Sequence, residues 1–141
     1  GAYEAGVSVV ASYPGTPSTE ITENVVKYDD IYVEWSSNEK VAAEVAIGAS
    51  IAGARSMSCM KHVGMNVAAD PFMNSSLIGI KGGLIIVFAD DPSMQSSQGE
   101  QDSRFYADFA MIPCFEPTNQ QEAYEMVFDA FESVFNRNDT S

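Results

Sequence analysis

Positive charge is scarce in this sequence. Its 141 residues include 7 lysines and arginines against 20 aspartates and glutamates, a formal net charge of −13. A surface this acidic repels nucleic-acid phosphates and anionic lipid headgroups, which argues against a nucleic-acid or membrane partner. The acidity is compatible with a basic protein partner, but solubility alone also explains it.

Cysteine and histidine are also rare, with two cysteines and a single histidine. Cys59 and Cys114 are far apart and no C-x-x-C pattern occurs, so neither a zinc site nor an iron–sulfur site is predicted. We expect both to be reduced, buried thiols in a cytoplasmic protein. The acidic turn at Asp90 and Asp91 has no further ligand at suitable spacing, and no metal site is predicted there.

Membrane-spanning segments and nucleotide-binding motifs are missing as well. No apolar run is long enough to cross a bilayer. No G-x-G-x-x-G follows the first predicted strand and no Walker A motif occurs, so neither a dinucleotide nor a nucleoside triphosphate is indicated. The sequence opens at Gly1 without an initiator methionine or a basic leader. We therefore expect residues 1–141 to form a single domain, a fragment of a larger subunit.

Apolar residues are plentiful, at 45% of the sequence, and their pattern alternates between strands and helices. An apolar, β-branched run predicts a strand at residues 7–12, and further strands are predicted at 31–35, 56–60 and 84–89, with a fifth as an option at 114–116. Helices are predicted to start near Pro17, to span 38–53, 65–78 and 103–111, and to start again at Thr118, with Gln121 completing a capping box.

Strands that are apolar throughout and separated by helices predict an α/β domain, a three-layer αβα sandwich around a mainly parallel sheet. Ligands bind to such sheets beyond the carboxyl ends of the strands. The segments at those ends are 13–16, 36–39, 61–64 and 90–101, of which 61–64 and 90–101 are predicted loops. The unusual polar residues of the sequence gather in these segments.

Each segment also has a purely structural explanation. Thr16 can cap the first helix, and Ser36 with Glu39 has the spacing of a capping box, in which an acid also suits the helix dipole. The functional alternative is that Glu39 faces a ligand and holds a proton against a heterocyclic nitrogen. His62 follows a strand at the predicted ligand edge, where a lone histidine is either incidental or catalytic.

Three segments taken in order show a family resemblance. They read YPGTPSTEI, EWSSNEKVAAEVAIGASIAGARSMSCMKHVGMNVAADPF and GGLIIVFADDPSMQSSQGEQDSR. Together they resemble the 2-oxoacid:ferredoxin oxidoreductases, and most closely the alpha subunit of the indolepyruvate:ferredoxin oxidoreductases. The resemblance covers nearly the whole chain and corresponds to the pyrimidine-binding (PYR) domain of these thiamine diphosphate enzymes.

The resemblance implies a thiamine diphosphate-binding fold with a catalytic carboxylate. Glu39 matches the glutamate that bonds N1′ of the cofactor's aminopyrimidine ring and shares a proton with it. Val63 and Gly64 match a segment that lies near that ring, so they are expected to bind the cofactor. Gly48 falls where the small-residue helix of the family packs.

The resemblance also implies which residues face the substrate. Gly15 and Thr16 match the turn whose threonine lies beside the substrate. His62 matches a position in the active site, where it is expected to orient the 2-oxoacid or to help proton transfer. No residue of this chain is expected to bind a metal.

The same resemblance implies that the chain holds only half of an active site. The diphosphate and Mg²⁺ belong to a pyrophosphate-binding (PP) domain whose GDG-type motif is absent here, and the cysteines for [4Fe-4S] clusters are absent too. The expected partners are that PP domain, a beta subunit, ferredoxin, coenzyme A and an arylpyruvate. The implied reaction is oxidative decarboxylation of the 2-oxoacid to an acyl-CoA, with reduction of ferredoxin.

Asp90 stands where pyruvate-type members carry an arginine that holds the substrate carboxylate. Indolepyruvate or another arylpyruvate therefore fits better than pyruvate, and the group that binds the carboxylate is left open. Two other functions compete with this one. They are a non-oxidative thiamine diphosphate decarboxylase subunit and a non-catalytic PYR-like module used for dimerisation or regulation.

Overall fold

A computed structural model of the chain describes residues 1–138, with side chains described through residue 133. Within that range one parallel sheet has the strand order β2-β1-β3-β4. The strands are β1 (Val9–Ser12), β2 (Tyr32–Trp35), β3 (Ser56–Lys61) and β4 (Leu84–Ala89). The helices are α1 (Thr19–Val25), α2 (Glu39–Ile51), α3 (His62–Val67), α4 (Ala69–Ser75), α5 (Arg104–Ala110) and α6 (Gln120–Asn138). The predicted α/β class with a parallel sheet is confirmed.

Side chains alternate between the two faces of the sheet, because successive residues of a strand point to opposite sides. Met57 and Cys59 of β3 pack into one apolar cluster together with Val10 of β1. Met60, the neighbour of Cys59 in the chain, packs into a second cluster on the other face. Strands with two apolar faces need helices on both, which is why their sequences read as continuous apolar runs.

The helices divide between these two faces. The first cluster is covered by α1 and α6, through residues such as Val25 and Phe131, and by the N-terminal segment around Val7. The second is covered by the helices α2 to α5, which contribute Ala43, Met65, Phe72 and Ala110. The molecule is therefore the predicted three-layer αβα sandwich. None of the helices in the described range is long and apolar enough to cross a membrane.

The helix predicted at residues 65–78 is wrong in both its start and its continuity. Helix α3 already begins at His62, so residues 61–64 are the end of β3 and the first turn of α3 rather than a loop. A break at Ala68 then separates α3 from α4. Pro71 explains the break, because proline has no N–H for the carbonyl four residues back and its ring crowds that carbonyl.

The fifth strand considered at residues 114–116 does not form, since this segment lies outside the four strands of the described sheet. Pro113 and Pro117 bracket it, and each lacks the N–H that a strand ladder requires. Strand β4 is therefore an edge of the described sheet, and all of its residues are only half-buried. An apolar cavity of about 810 Å³ runs beside it, lined in part by β4 and α6.

The cap predicted for the last helix is displaced by one residue. Helix α6 begins at Gln120, and Glu122 rather than Gln121 accepts from the Thr118 N–H at 2.8 Å and from its hydroxyl at 2.6 Å. Asn119 in turn accepts from the Glu122 N–H at 3.0 Å. The hydrogen bonds from Thr118 lower the pKa of the Glu122 carboxyl.

Candidate functional site

The strand order creates a crevice at the carboxyl edge of the sheet. β1 and β3 are neighbours, yet α1, which follows β1, covers one face, and α3, which follows β3, covers the other. Such a reversal opens a gap beyond the carboxyl ends of the two strands, where ligands of parallel sheets bind. Residues 13–18, which follow β1, and residues 61–64, which end β3 and begin α3, lie at the mouth of the gap.

The turn after β1 is closed by its own side chains. Thr19 accepts a hydrogen bond from the Gly15 N–H at 2.8 Å, and the Ser18 hydroxyl donates to the Gly15 carbonyl at 2.7 Å. Helix α1 starts at Thr19 with Ser18 before it, so the predicted start at Pro17 with a Thr16 cap is wrong. Thr16 is exposed at the mouth of the crevice, and Gly15 beside it is half-buried.

Glu39 is the first residue of α2, and its half-buried side chain reaches the start of α3. A Cβ added to Gly64 would lie 2.7 Å from both Cγ and Oε1 of Glu39. The carboxylate thus occupies the space that any side chain at position 64 would need. Two residues to which the resemblance assigns the cofactor are therefore in contact. Gly48, by contrast, is exposed, with nothing among the described residues within 4 Å of an added Cβ.

The capping box predicted for Ser36 and Glu39 is also wrong. Asn38 caps α2 instead, since its backbone is extended and its Oδ1 accepts from the Val41 N–H at 3.0 Å. Ser36 donates to the Glu34 carboxylate at 2.8 Å. Glu39 occupies the first helical position rather than the third, so its side chain is directed to Gly64 instead of folding back over the helix end.

His62 is fully buried in the first turn of α3. Its Nε2 lies 3.0 Å from the Gly99 carbonyl oxygen, and a carbonyl can only accept, so Nε2 carries the hydrogen. Nδ1 is buried without a hydrogen-bond partner among the described residues. The Gln101 amide donates to the His62 carbonyl at 2.9 Å. His62 is therefore held beneath the loop after β4, with an unused acceptor nitrogen.

That loop, residues 90–101, folds over the carboxyl end of β3. Asp91 organises it, because its carboxylate accepts from the Ser96 N–H at 2.9 Å and from the Ser97 hydroxyl at 2.8 Å. These bonds, that from Ser96 above all, lower the pKa of the Asp91 carboxyl. The Lys61 ammonium donates to the Ser96 carbonyl, which anchors the loop to the end of β3.

The Asp90 side chain bonds a backbone N–H and does not face the crevice. Its Oδ2 accepts from the Ser103 N–H at 2.8 Å, and its Oδ1 is buried without a partner among the described residues. A depression of about 510 Å³ lies beside it. Arg104 lines that depression, but Asp102 at 2.7 Å and Glu116 at 2.9 Å engage its guanidinium. The described residues contain no group of three or more His, Cys, Asp or Glu side chains that could hold a metal ion.

The prediction of two buried thiols is right for one cysteine and wrong for the other. Cys59 is buried, and its burial raises the pKa of the thiol to about 12, although hydrogen bonds with Ser12 and Thr22 oppose the rise. Cys114 is exposed, because the segment around it forms no strand and stays at the surface. Both thiols are free.

Sequence reasoning missed the loop residues that enclose the end of β3. Ser96 and Gly99 make their contacts through backbone carbonyls, and Gln101 through a side-chain amide. A backbone carbonyl exists at every residue, so such contacts leave no signal in residue type. The available signal was the position of the loop after a buried strand, which predicts a ligand edge but not its individual contacts.

A crevice at the reversal point of a parallel sheet, with a carboxylate against bare glycine backbone, defines a ligand-binding α/β domain. The family model described as pyruvate flavodoxin/ferredoxin oxidoreductase, thiamine diphosphate-binding, matches residues 1–137. The chain belongs to this family, and the predicted cofactor, thiamine diphosphate, is confirmed at the level of the family.

Similar curated proteins carry one name, indolepyruvate oxidoreductase subunit IorA. That of Pyrococcus horikoshii is 58% identical over 135 residues, which are 94% of this chain and 21% of the relative. That of Thermococcus kodakarensis is 54% identical with the same coverage of 94% and 21%. That of Archaeoglobus fulgidus is 54% identical over 87% of this chain and 21% of the relative. The chain thus spans about a fifth of the length of these relatives.

A solved structure shares the fold. The 2-oxoglutarate:ferredoxin oxidoreductase of Magnetococcus marinus, with 2-oxoglutarate, coenzyme A and succinyl-CoA bound, superposes with a TM-score of 0.63. The match covers 75% of this chain and 19% of that one at 22% sequence identity. At this identity the likeness shows the fold alone, and it agrees with the predicted fold.

Proposed function

We propose that this domain supplies the aminopyrimidine side of a thiamine diphosphate site in an oxidoreductase of aryl 2-oxoacids, with Glu39 as its catalytic carboxylate. The names of the relatives support indolepyruvate as the substrate. The chain is one PYR-type domain within a larger subunit, and the complete reaction belongs to that larger protein. In it, a 2-oxoacid and coenzyme A give an acyl-CoA and CO₂, a pair of electrons passes to oxidised ferredoxin, and the thiol proton is released.

The contact between Glu39 and Gly64 carries the proposal. It places a half-buried carboxylate against bare backbone at the crevice where a ligand of this fold binds. No hydrogen bond or ion pair joins that carboxylate to another of the described residues. A carboxyl group with this surrounding is suited to share a proton with a ring nitrogen of a ligand, and N1′ of the aminopyrimidine of thiamine diphosphate is such a nitrogen.

Thiamine diphosphate, when bound, supplies a nucleophilic carbon and an electron sink for loss of CO₂ from the 2-oxoacid. Glu39 holds a proton at the ring nitrogen N1′ and takes it back during the cycle, acting as a general acid and base. Gly64 leaves the room that the carboxylate needs. Val63, which is 41% exposed beside Gly64, supplies an apolar contact to the cofactor.

Gly15, Thr16 and His62 are assigned to the substrate. Thr16 is exposed where the crevice opens, and its hydroxyl can bond a bound 2-oxoacid. His62 has an unused acceptor nitrogen, Nδ1, buried beneath the loop after β4, and this nitrogen suits a part in proton transfer. The PP domain with Mg²⁺, the [4Fe-4S] clusters, the beta subunit and ferredoxin complete the proposed enzyme outside this chain.

Glu39→Gln tests the proposal in the full-length parent protein with its partner subunit, thiamine diphosphate and Mg²⁺. Glutamine keeps the shape of the side chain but cannot exchange a proton, so we expect indolepyruvate-dependent viologen reduction to fall about 100-fold or more. Glu44→Gln is the matched control, because Glu44 lies exposed on the same helix and is expected to keep the wild-type rate. His62→Asn is measured alongside, with a lower turnover expected.

The outcomes separate the competing functions. Equal rates for Glu39→Gln and wild type, with circular dichroism unchanged, contradict the role of Glu39. Decarboxylation of indolepyruvate without dye reduction indicates a non-oxidative decarboxylase. No turnover and no bound thiamine diphosphate in the wild type indicates a non-catalytic module. Unaltered turnover in His62→Asn removes His62 from the catalytic residues.

A further inference from the structure

Every 2-oxoacid carries a carboxylate beside its reacting carbonyl, and a site for it needs a positive group at the crevice. Cations are few in this chain, and most lie elsewhere or are already paired. Lys27, Arg55 and Lys81 precede β2, β3 and β4, at the amino edge of the sheet, opposite the crevice. Lys40 pairs with Asp70 at 3.1 Å, and Arg104 pairs with two acids.

Lys61 differs from these cations in both place and pairing. It is the last residue of β3, one of the two strands that flank the crevice. Its stem lies against the turn after β1, because a Cβ added to Gly15 would be 3.0 Å from the Lys61 Cβ and 3.6 Å from its Cδ. The lysine therefore runs across the crevice mouth between the β1 turn and the loop after β4.

The charge of Lys61 is available to an anion. Its ammonium donates to a neutral acceptor, the Ser96 carbonyl, and no described carboxylate lies within ion-pair distance of it. The nearby Asp91 carboxylate accepts from the N–H of Ser96 and the hydroxyl of Ser97, and the Lys61 charge only adds to the lowering of its pKa without forming an ion pair. An ammonium has three N–H donors, so Lys61 can keep its bond to the Ser96 carbonyl and add a charge-assisted hydrogen bond to a carboxylate.

We propose that Lys61 binds the carboxylate of the 2-oxoacid substrate, directed there by the Gly15 turn and by the Ser96 carbonyl. This inference rests on the proposed function. It fills the role left open by Asp90, whose carboxylate is turned to the Ser103 N–H. It also makes the loop after β4 part of the substrate site, since the loop and the substrate share one ammonium.

The test uses the full-length parent protein with its partner subunit and thiamine diphosphate. Loss of a charge-assisted bond in Lys61→Gln is expected to raise the KM for indolepyruvate about 10- to 100-fold, with a smaller effect on kcat. Calorimetry supplies a readout that needs no turnover. The Kd of indole-3-propionate is expected to rise by the same factor in Lys61→Gln. The Kd of the uncharged indole-3-propionamide is expected to change less than about twofold.

Two further variants keep the result interpretable. Lys61→Arg retains the charge and is expected to stay within about tenfold of wild type in KM. Lys81→Gln removes a charge at the opposite edge and is expected to change neither KM nor analogue binding. An unchanged KM in Lys61→Gln overturns the inference, as does equal weakening of the acid and the amide. A wild type without turnover overturns the proposed function and this inference together, whereas a normal wild type with a normal Lys61→Gln overturns this inference alone.

Discussion

At the scale of single residues, the tightest constraint in the site is the contact between Gly64 and Glu39. Gly64→Ala places a Cβ 2.7 Å from Cγ and Oε1 of Glu39, so the carboxylate must move. We expect turnover of the parent protein to fall at least about tenfold, since a displacement of about 1 Å in a catalytic group costs that much or more. Steady-state viologen reduction measures the effect.

Gly48→Ala is the control for that substitution. Gly48 lies within α2, is exposed and has nothing within 4 Å of an added Cβ. Alanine there should leave turnover unchanged and raise the free energy of unfolding by about 0.5–1 kcal/mol, because glycine is the poorer helix former. If Gly64→Ala keeps the wild-type turnover, the reaction does not require Glu39 to occupy its present position, which contradicts the prediction.

The identity of the site residues could be predicted in part. Residue type and resemblance predicted Glu39, Gly64 and His62 as site residues, and the structure brings Glu39 against Gly64. The burial of His62 could not be predicted, because it depends on the path of the loop that carries Gly99. Lys61 was visible only as a member of a segment, since its neighbours across the crevice come from distant parts of the chain.

At the scale of the elements, substitutions at the start of α2 can test which residue caps this helix. Asn38→Ala removes the side-chain acceptor of the Val41 N–H, and we expect it to cost about 1 kcal/mol of unfolding free energy. Ser36→Ala serves as the control, because Ser36 bonds Glu34 rather than the helix end. Urea denaturation compares the two. A larger loss in Ser36→Ala than in Asn38→Ala contradicts the assigned cap.

The errors in element boundaries share one cause. The predicted caps of α1 and α2 are two residues too early, and that of α6 is one residue too early. Each helix follows several polar residues in a row, and any of them could act as the cap. Pro71 was the signal that α3 and α4 are separate, and Pro113 with Pro117 was the signal against a fifth strand. Strand positions were predicted to within two residues, since turns and helix starts separate the short runs on both sides.

At the scale of the whole molecule, two apolar clusters on opposite faces share one sheet. Phe131 in the first cluster is 1% exposed and Phe72 in the second is 3% exposed. Because both clusters pack on the same strands, we expect Phe131→Ala and Phe72→Ala each to lower the midpoint of a single unfolding transition, at a cost of about 3–5 kcal/mol. Circular dichroism and Trp35 fluorescence measure that transition in urea.

Phe105→Ala is the control, because this side chain is 71% exposed and its removal should cost less than about 0.5 kcal/mol. Unfolding curves that differ between the two probes show instead that the faces unfold separately.

The class of the fold followed from the alternation of strands and helices. The strand order β2-β1-β3-β4 did not, because a parallel sheet can be wound in several orders from the same pattern.

The contact between Gly64 and Glu39 also bears on how such a domain changes over evolution. Because the Glu39 side chain fills the space beside the Gly64 backbone, positions 39 and 64 cannot mutate independently. The order of substitutions at these two positions therefore matters. A lineage that keeps the carboxylate in its present position is confined to glycine at position 64. A lineage that first loses the carboxylate opens that position to larger residues, and once a larger residue has settled there, reversion at position 39 alone no longer restores the site. Loss of the carboxylate at position 39 is therefore difficult to reverse.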